Sequence, residues 1–293
     1  MPNIAANGIQ IEYETFGDST NPPLLLIMGL GAQMILWDEE FCEQIAARGF
    51  YVIRFDNRDA GLSTHFHDAP LPDLPAAMTG DSSSASYTLS DMAADAAGLL
   101  DALGLSAAHI VGASMGGMIA QSFAIEHPDK TLSLCSIMST TGDTAVGQPD
   151  PEALEMLMAT PPQTVEEAAD TAILAAKIIG GKRYPVDEER VRARAVEGWN
   201  RDHDALGFGR QLVGIMASGD RTPGLAGVRV PTLVIHGLDD PLVTPSGGES
   251  TAKAVPGARL LNVEGMGHDL PIPLWPGIID AIVENAEKAG SPA

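Results

Sequence analysis

The stretch His109-Ile110-Val111-Gly112-Ala113-Ser114-Met115-Gly116-Gly117 constrains this chain more than any other. It reads as a buried strand that enters a sharp turn and opens a helix. The apolar, β-branched Ile110 and Val111 precede the turn, and the run Met118-Ile119-Ala120-Gln121-Ser122-Phe123-Ala124 follows it. Gly112 and Gly116 flank Ser114 in the pattern G-x-S-x-G, and each omits a Cβ that would crowd the adjoining strand and helix. A serine so placed takes a strained backbone conformation, with its Oγ exposed above the sheet. The N–H groups of the helix start face the same space. The stretch predicts a nucleophilic serine; a glycine-rich helix cap is the bland alternative.

The remaining pattern tells what this turn is embedded in. Residues 4–17 alternate, with Ile9, Ile11 and Tyr13 on one side and Gln10, Glu12 and Glu14 on the other, as in an antiparallel edge hairpin. Pro23–Met28 is a continuous apolar run, expected of a strand covered on both faces, and it ends in Gly29-Leu30-Gly31. A helix is expected at Trp37–Arg48, a strand at Tyr51–Asp56 and a surface loop over 64–87. Thr88-Leu89-Ser90-Asp91 has capping-box form and starts a helix that ends at Gly104. Thr131–Ser139 reads as a further buried strand.

Then the pattern changes. From 141 to 225 no strand signal appears, and helical stretches recur near 150–159, 164–179 and 187–217. Strand signals return at Val230–Gly237 and Ala258–Val263, with helices near 247–255 and 274–288. The expected fold is α/β, a mostly parallel sheet flanked by helices, with a core of 1–140 and 226–293 and a helical cap inserted at 141–225.

With 293 residues, 45% of them hydrophobic, the chain has enough apolar surface for a large core. Its net charge of -22 argues against nucleic acid or an anionic membrane as partner. Cys42 and Cys135 fall on a helix and an apolar strand, so buried free thiols are expected rather than a disulfide. No signal-peptide pattern is visible and no apolar run approaches a membrane span, so a cytoplasmic protein is expected.

A serine nucleophile needs a base, and the base needs an orienting acid. Gly237-Leu238-Asp239-Asp240 lies just beyond an apolar strand, where a carboxylate projects into the crevice at the strand's carboxyl end. Gly265-Met266-Gly267-His268 lies just beyond the last strand, with small residues that let the His268 ring approach. The order Ser, Asp, His is that of the α/β hydrolases.

On these motifs the chain resembles α/β-hydrolase-fold enzymes with a helical cap. It is most similar to aclacinomycin methylesterase-type carboxylesterases, through Ile27-Met28-Gly29, the segment from Phe55 to Thr64, and Gly265–His268. The resemblance implies a carboxylesterase whose triad is Ser114, Asp240 and His268; the family pattern Gly-x-x-Asp selects Asp240 over Asp239. It also implies an oxyanion hole made by the backbone N–H groups of Leu30 and Met115. Met28 stands where the family usually has histidine, which leaves open how that loop is braced. Asp59 departs from the more common Arg-Gly pair and is read as structural. Lactonase, C–C bond hydrolase and perhydrolase activities share the triad, and a hydrolase-like ligand receptor is the non-enzymatic alternative.

Gly29, Trp199 and Met216 are candidate substrate contacts, within a cap whose Met156, Leu157, Met158, Phe208 and Leu212 either line a pocket or fill its own core. Arg58 and Ser63 are expected to brace their loop by hydrogen bonds. His65 and His67 lie in a polar loop, His127 precedes a helix-ending proline and His203 falls on a charged helix of the cap, so none of these reads as catalytic; His109 and His236 flank strands and read as packed or hydrogen-bonded. No metal is expected, because no pair has ligand spacing with carboxylate support. No cofactor is expected either: Gly29-Leu30-Gly31 lacks the third glycine and acidic partner of a dinucleotide site. The expected partners are a small-molecule ester and water.

Overall fold

The computed structural model describes residues 2–290. The elements in chain order are β1 (Asn3–Ala6), β2 (Ile9–Phe16), β3 (Pro23–Ile27), α1 (Glu39–Ala46), β4 (Tyr51–Phe55), α2 (Leu74–Met78), α3 (Leu89–Ala102), β5 (Ala108–Ala113), α4 (Met115–Glu126) and β6 (Thr131–Ile137). There follow α5 (Pro151–Leu157), α6 (Val165–Ile179), α7 (Glu188–Arg201), α8 (Ala205–Ser218) and α9 (Thr222–Leu225). The chain ends with β7 (Thr232–Gly237), α10 (Ser246–Ala254), β8 (Arg259–Val263) and α11 (Trp275–Glu287).

The strands form one sheet in the order β1-β2-β4-β3-β5-β6-β7-β8. β1 and β2 pair antiparallel, β2 joins β4 antiparallel, and every later pair is parallel. The continuous apolar runs are explained by burial on both faces. Leu25 and Ile27 pack with α3 and α4 residues such as Met92, Ile119 and Phe123. Leu24 and Leu26 face the opposite way, onto Phe41 of α1 and Ile278 and Ile282 of α11.

Strand order reverses direction at β3 and β5, which lie side by side with Ile27 opposite Gly112. A crevice opens outside the carboxyl ends of such a pair. The loop after β3 and the turn after β5 therefore meet there.

Most sequence expectations hold. Thr88 and Asp91 form the capping box that starts α3. Cys42 and Cys135 are buried and free. Four details differ. Trp37 precedes α1 rather than opening it, because Asp38 is the N-cap and its side chain accepts the Glu40 N–H. The 64–87 segment contains the short α2, which Asp73 caps through the Ala76 N–H. The 187–217 run breaks at 202–204, where Asp204 caps a new helix. Glu12 is buried instead of facing solvent. The loop after β4 lies against its strand: Ser63 Oγ accepts the Glu12 N–H, and Thr64 bonds both backbone groups of Gln10.

Between β6 and β7 the regular elements are all helices, α5–α9. They sit over the carboxyl ends of the strands. Gln211 of α8 reaches the loop after β3, Arg210 of α8 the loop after β4, and Ile179 of α6 the turn after β8. Among the described residues no helix is long and apolar enough to cross a membrane.

Candidate active site

The turn after β5 takes the form its glycines predict. Ser114 has φ 57° and ψ -122°, a conformation costing a non-glycine residue on the order of 1–3 kcal/mol. A Cβ on Gly112 would lie 1.9 Å from the Gly116 carbonyl oxygen, and one on Gly116 would lie 2.1 Å from that of Ile27. Only glycine allows β3, β5 and α4 to approach this closely. The Ser114 N–H donates to the Ile137 carbonyl at 2.9 Å, which ties the strained residue to β6.

Three sequence-distant side chains converge on the turn. His268 Nε2 lies 2.9 Å from Ser114 Oγ, and His268 Nδ1 lies 2.8 Å from Asp240 Oδ2. Asp240 is fully buried, and its other oxygen accepts the N–H groups of Leu242 and Val243, each at 2.9 Å. These bonds fix the orientation of the carboxylate. With a carboxylate on Nδ1, the imidazole carries its proton there and presents Nε2 as an acceptor to the serine hydroxyl. The neighbouring Asp239 is exposed. His236 is buried and donates from Nε2 to the Val243 carbonyl at 2.7 Å, which steadies the same turn.

The β3 loop lies against this group. A Cβ on Gly29 would meet Ser114 Cβ at 3.1 Å. Gly29 O accepts the Ala32 N–H at 3.2 Å, closing a tight turn around Leu30 and Gly31. Met115 is the first residue of α4, so its N–H lies outside the helical ladder. Among the described residues neither the Leu30 nor the Met115 N–H has a protein acceptor. The bracing that Met28 left open comes from elsewhere. Asn57 Nδ2 donates to Met28 O at 2.9 Å, Gln211 Oε1 accepts the Gly31 N–H at 2.7 Å, and Asp56 Oδ1 accepts the Met34 N–H at 2.7 Å.

Trp199 is half-buried on α7, and its ring stacks on His203 with centroids 4.5 Å apart. Met216 is half-buried in the last turn of α8. Of the apolar residues of the helical segment, Leu212 is buried, while Met156, Leu157 and Phe208 are half-buried and Met158 is exposed. Arg58 pairs bidentately with Asp95 at 2.6 and 2.8 Å, and Ser63 Oγ donates to Asp56 O at 2.6 Å, so both brace the loop as expected. Asp59 is structural as well. It accepts from Arg210 at 2.8 Å on each oxygen and from the Tyr87 hydroxyl at 2.6 Å.

Sequence reading missed Asn57, Gln211 and Asp269. Asp269 accepts the N–H groups of Gly267 and Gly181, and so links the His268 turn to the end of α6; burial raises its pKa. The one available signal was a polar pair, Arg210-Gln211, set among the apolar residues of α8. It also missed that His65, His67 and Asp204 place three ligand-type atoms within 4.8 Å of one another. The two rings are near-parallel, 10° apart, so their in-plane lone pairs do not converge on one point. Asp204 Oδ2 already accepts from Arg210 at 3.0 Å, and this cluster is occupied by a cation of the chain itself.

Comparison with known proteins agrees with this architecture. The family profile described as alpha/beta hydrolase fold matches residues 22–273. A rhodomycin D methylesterase of Streptomyces peucetius is 30% identical, over 98% of each chain. A second, from Streptomyces sp. (strain C5), is 29% identical over the same shares. Among solved structures, the enol-lactonase from Burkholderia xenovorans LB400 is 25% identical with a TM-score of 0.75, covering 98% of this chain and all of its own. A meta-cleavage product hydrolase from Pseudomonas fluorescens IP01 has a TM-score of 0.76 at 20% identity over 99% and 98% of the two chains, a likeness of fold. With its strained serine turn, its mostly parallel eight-stranded sheet and a profile match over most of its length, the chain belongs to the alpha/beta hydrolase fold family.

Proposed function

We propose that this protein is a serine carboxylic-ester hydrolase for small to medium, fairly apolar esters, with Ser114 as nucleophile, His268 as base and Asp240 as orienting acid. One observation carries the reading: the continuous hydrogen-bonded line from Ser114 Oγ through His268 to Asp240, at 2.9 and 2.8 Å, on a strained turn. Ser114 Oγ attacks the ester carbonyl while His268 Nε2 takes its proton. The N–H groups of Leu30 and Met115 hold the resulting oxyanion; losing one such donor typically costs about 3–4 kcal/mol of transition-state stabilisation. His268 then protonates the departing alkoxide, releasing the alcohol and leaving an acyl-serine. Water attacks the acyl group, His268 takes a proton from that water, and the collapsing intermediate returns it to Ser114 as the acid is released.

Residues 1–140 and 226–293, of which 1 and 291–293 lie outside the described residues, form the catalytic core in this reading, and α5–α9 form a cap over it. The half-buried Met156, Leu157, Phe208 and Met216 give the cap an apolar lining, with Gly29 and Trp199 as further substrate contacts. Two methylesterase relatives support methyl esters as the first natural type to assay.

The test is turnover of p-nitrophenyl esters from acetate to long chains, alongside methyl benzoate, in stopped flow. The expected result is a burst of p-nitrophenol equal to the enzyme present, followed by steady turnover that is fastest for short to medium chains. Folded protein that hydrolyses none of these esters contradicts the reading.

A further inference from the structure

Gln211 is a fully buried amide in α8. Its Oε1 accepts the Gly31 N–H at 2.7 Å, and its Nε2 donates to the Arg58 carbonyl at 2.7 Å. The partners fix its orientation, since a backbone N–H only donates and a carbonyl only accepts. One side chain thereby joins the cap to the loops after β3 and β4.

The bond falls on the peptide next to the proposed oxyanion donor. Three consecutive peptides of the β3 loop are each held by one bond. Asn57 holds Met28–Gly29 through the Met28 carbonyl. The Ala32 N–H holds Gly29–Leu30 through the Gly29 carbonyl. Gln211 holds Leu30–Gly31 through the Gly31 N–H. Gly31 has φ +64°, and Leu30 is not among the residues with positive φ, so the turn is of type II. In such a turn the central peptide can flip to the type I arrangement, and a glycine at the third position lowers the barrier of sterics against either state. That flip rotates ψ of Leu30 and φ of Gly31; the Leu30 N–H belongs to the preceding peptide, and the Gly31 anchor steadies it by fixing the next link of the chain. Gln211 bonds only the unflipped peptide. Phe208, one turn earlier in α8, closes the other side: a Cβ on Gly31 would lie 2.7 Å from its ring.

We propose that Gln211 is the positioning residue of the oxyanion-binding loop, so that a cap helix sets the aim of the Leu30 N–H. The inference rests on the reading of Ser114 as nucleophile and Leu30 as donor. It assigns α8 to the fixed wall of the catalytic site.

The test compares wild type, Gln211→Met and Gln211→Glu with p-nitrophenyl acetate and with phenylboronic acid. The boronate adds to the serine and places an oxygen where the oxyanion forms. Each rate is taken per active site titrated by a fluorophosphonate. Gln211→Met keeps the volume and loses both bonds. It is expected to lower kcat about 10- to 100-fold with KM changed less than about threefold, and to weaken the boronate by a similar factor. Gln211→Glu reproduces both bonds only while its carboxyl is protonated. Its kcat relative to wild type is expected to fall as pH rises through that group's pKa, and this variant carries the test if Gln211→Met does not fold. Unchanged kcat, or a loss confined to KM or to the titrated fraction, overturns the proposal. Ser114→Ala in the same assay separates the two failures. If it is inactive while Gln211→Met is fully active, only the role of Gln211 fails; if it stays active, the reading of the site fails first.

Discussion

At the scale of single residues, the orienting role of Asp240 depends on both of its oxygens being acceptors. Oδ1 is taken by two backbone N–H groups and Oδ2 by His268. Asp240→Asn keeps the shape but brings an NH₂ group into that set, and whichever way it turns it opposes a donor. The amide also stops selecting the Nδ1-protonated tautomer of His268. The variant is expected to fold and to lose kcat on the order of 10⁴-fold, read by steady-state kinetics on p-nitrophenyl acetate. Loss of less than tenfold would show that Asp240 does not orient the base. The three side chains were legible in the sequence because each follows an apolar strand and sits beside glycines, and Gly237-Leu238-Asp239-Asp240 resolved to the buried member of its pair. The role of Gln211 was not legible: the polar pair Arg210-Gln211 stands out among the apolar residues of α8, but the bond to Gly31 spans 180 positions and nothing in the sequence names that partner.

At the scale of elements, the loop after β4 works as a clamp between the sheet and α8. Asp59, with φ 60°, is held by Arg210 and Tyr87, and its Oδ1 also accepts the Phe66 N–H at 2.8 Å. Both charged side chains are almost wholly buried, at 0% and 1% exposure. Desolvation makes such a pair a modest net stabiliser, but removing Asp59 leaves the buried Arg210 with Asp204 as its remaining acidic partner and takes the acceptor from the Tyr87 hydroxyl. Asp59→Ala is therefore expected to destabilise the fold by about 3–5 kcal/mol, measured as a shift in the urea midpoint at unchanged slope. A change below about 1 kcal/mol would mean that Arg210 and Tyr87 find new partners. Helix starts were readable where a cap showed, as at Thr88. The break before α8 was not, because Asp204 sits within a run whose apolar periodicity continues on both sides.

At the scale of the whole molecule, two-sided burial of the central strands made the fold readable. A continuous apolar run such as Pro23–Ile27 suits a strand that helices cover on both faces. What the sequence could not show is how the helical segment sits on the core, since that depends on pairs such as Arg210 with Asp59 and His268 N–H with Ile179 O. Burial has a consequence for pH as well. His109 is enclosed at Ser133 and Phe50, and burial lowers its pKa from the ordinary 6.5 to about 4. Between these values the unfolded chain binds a proton that the native protein does not. Stability contributed by this group is present above pH 6.5 and lost as pH falls towards 4, at roughly 1 kcal/mol per pH unit. His109→Gln is expected to flatten the slope of unfolding free energy in that window relative to wild type. An identical slope would contradict the assignment.

The central claim is that Ser114 is the nucleophile of an ester hydrolase, and the most direct measurement is p-nitrophenyl acetate hydrolysis by wild type and Ser114→Ala side by side, with circular dichroism showing both folded. The account predicts steady turnover by the wild type and none above background in the variant. Equal turnover by the two proteins would contradict it.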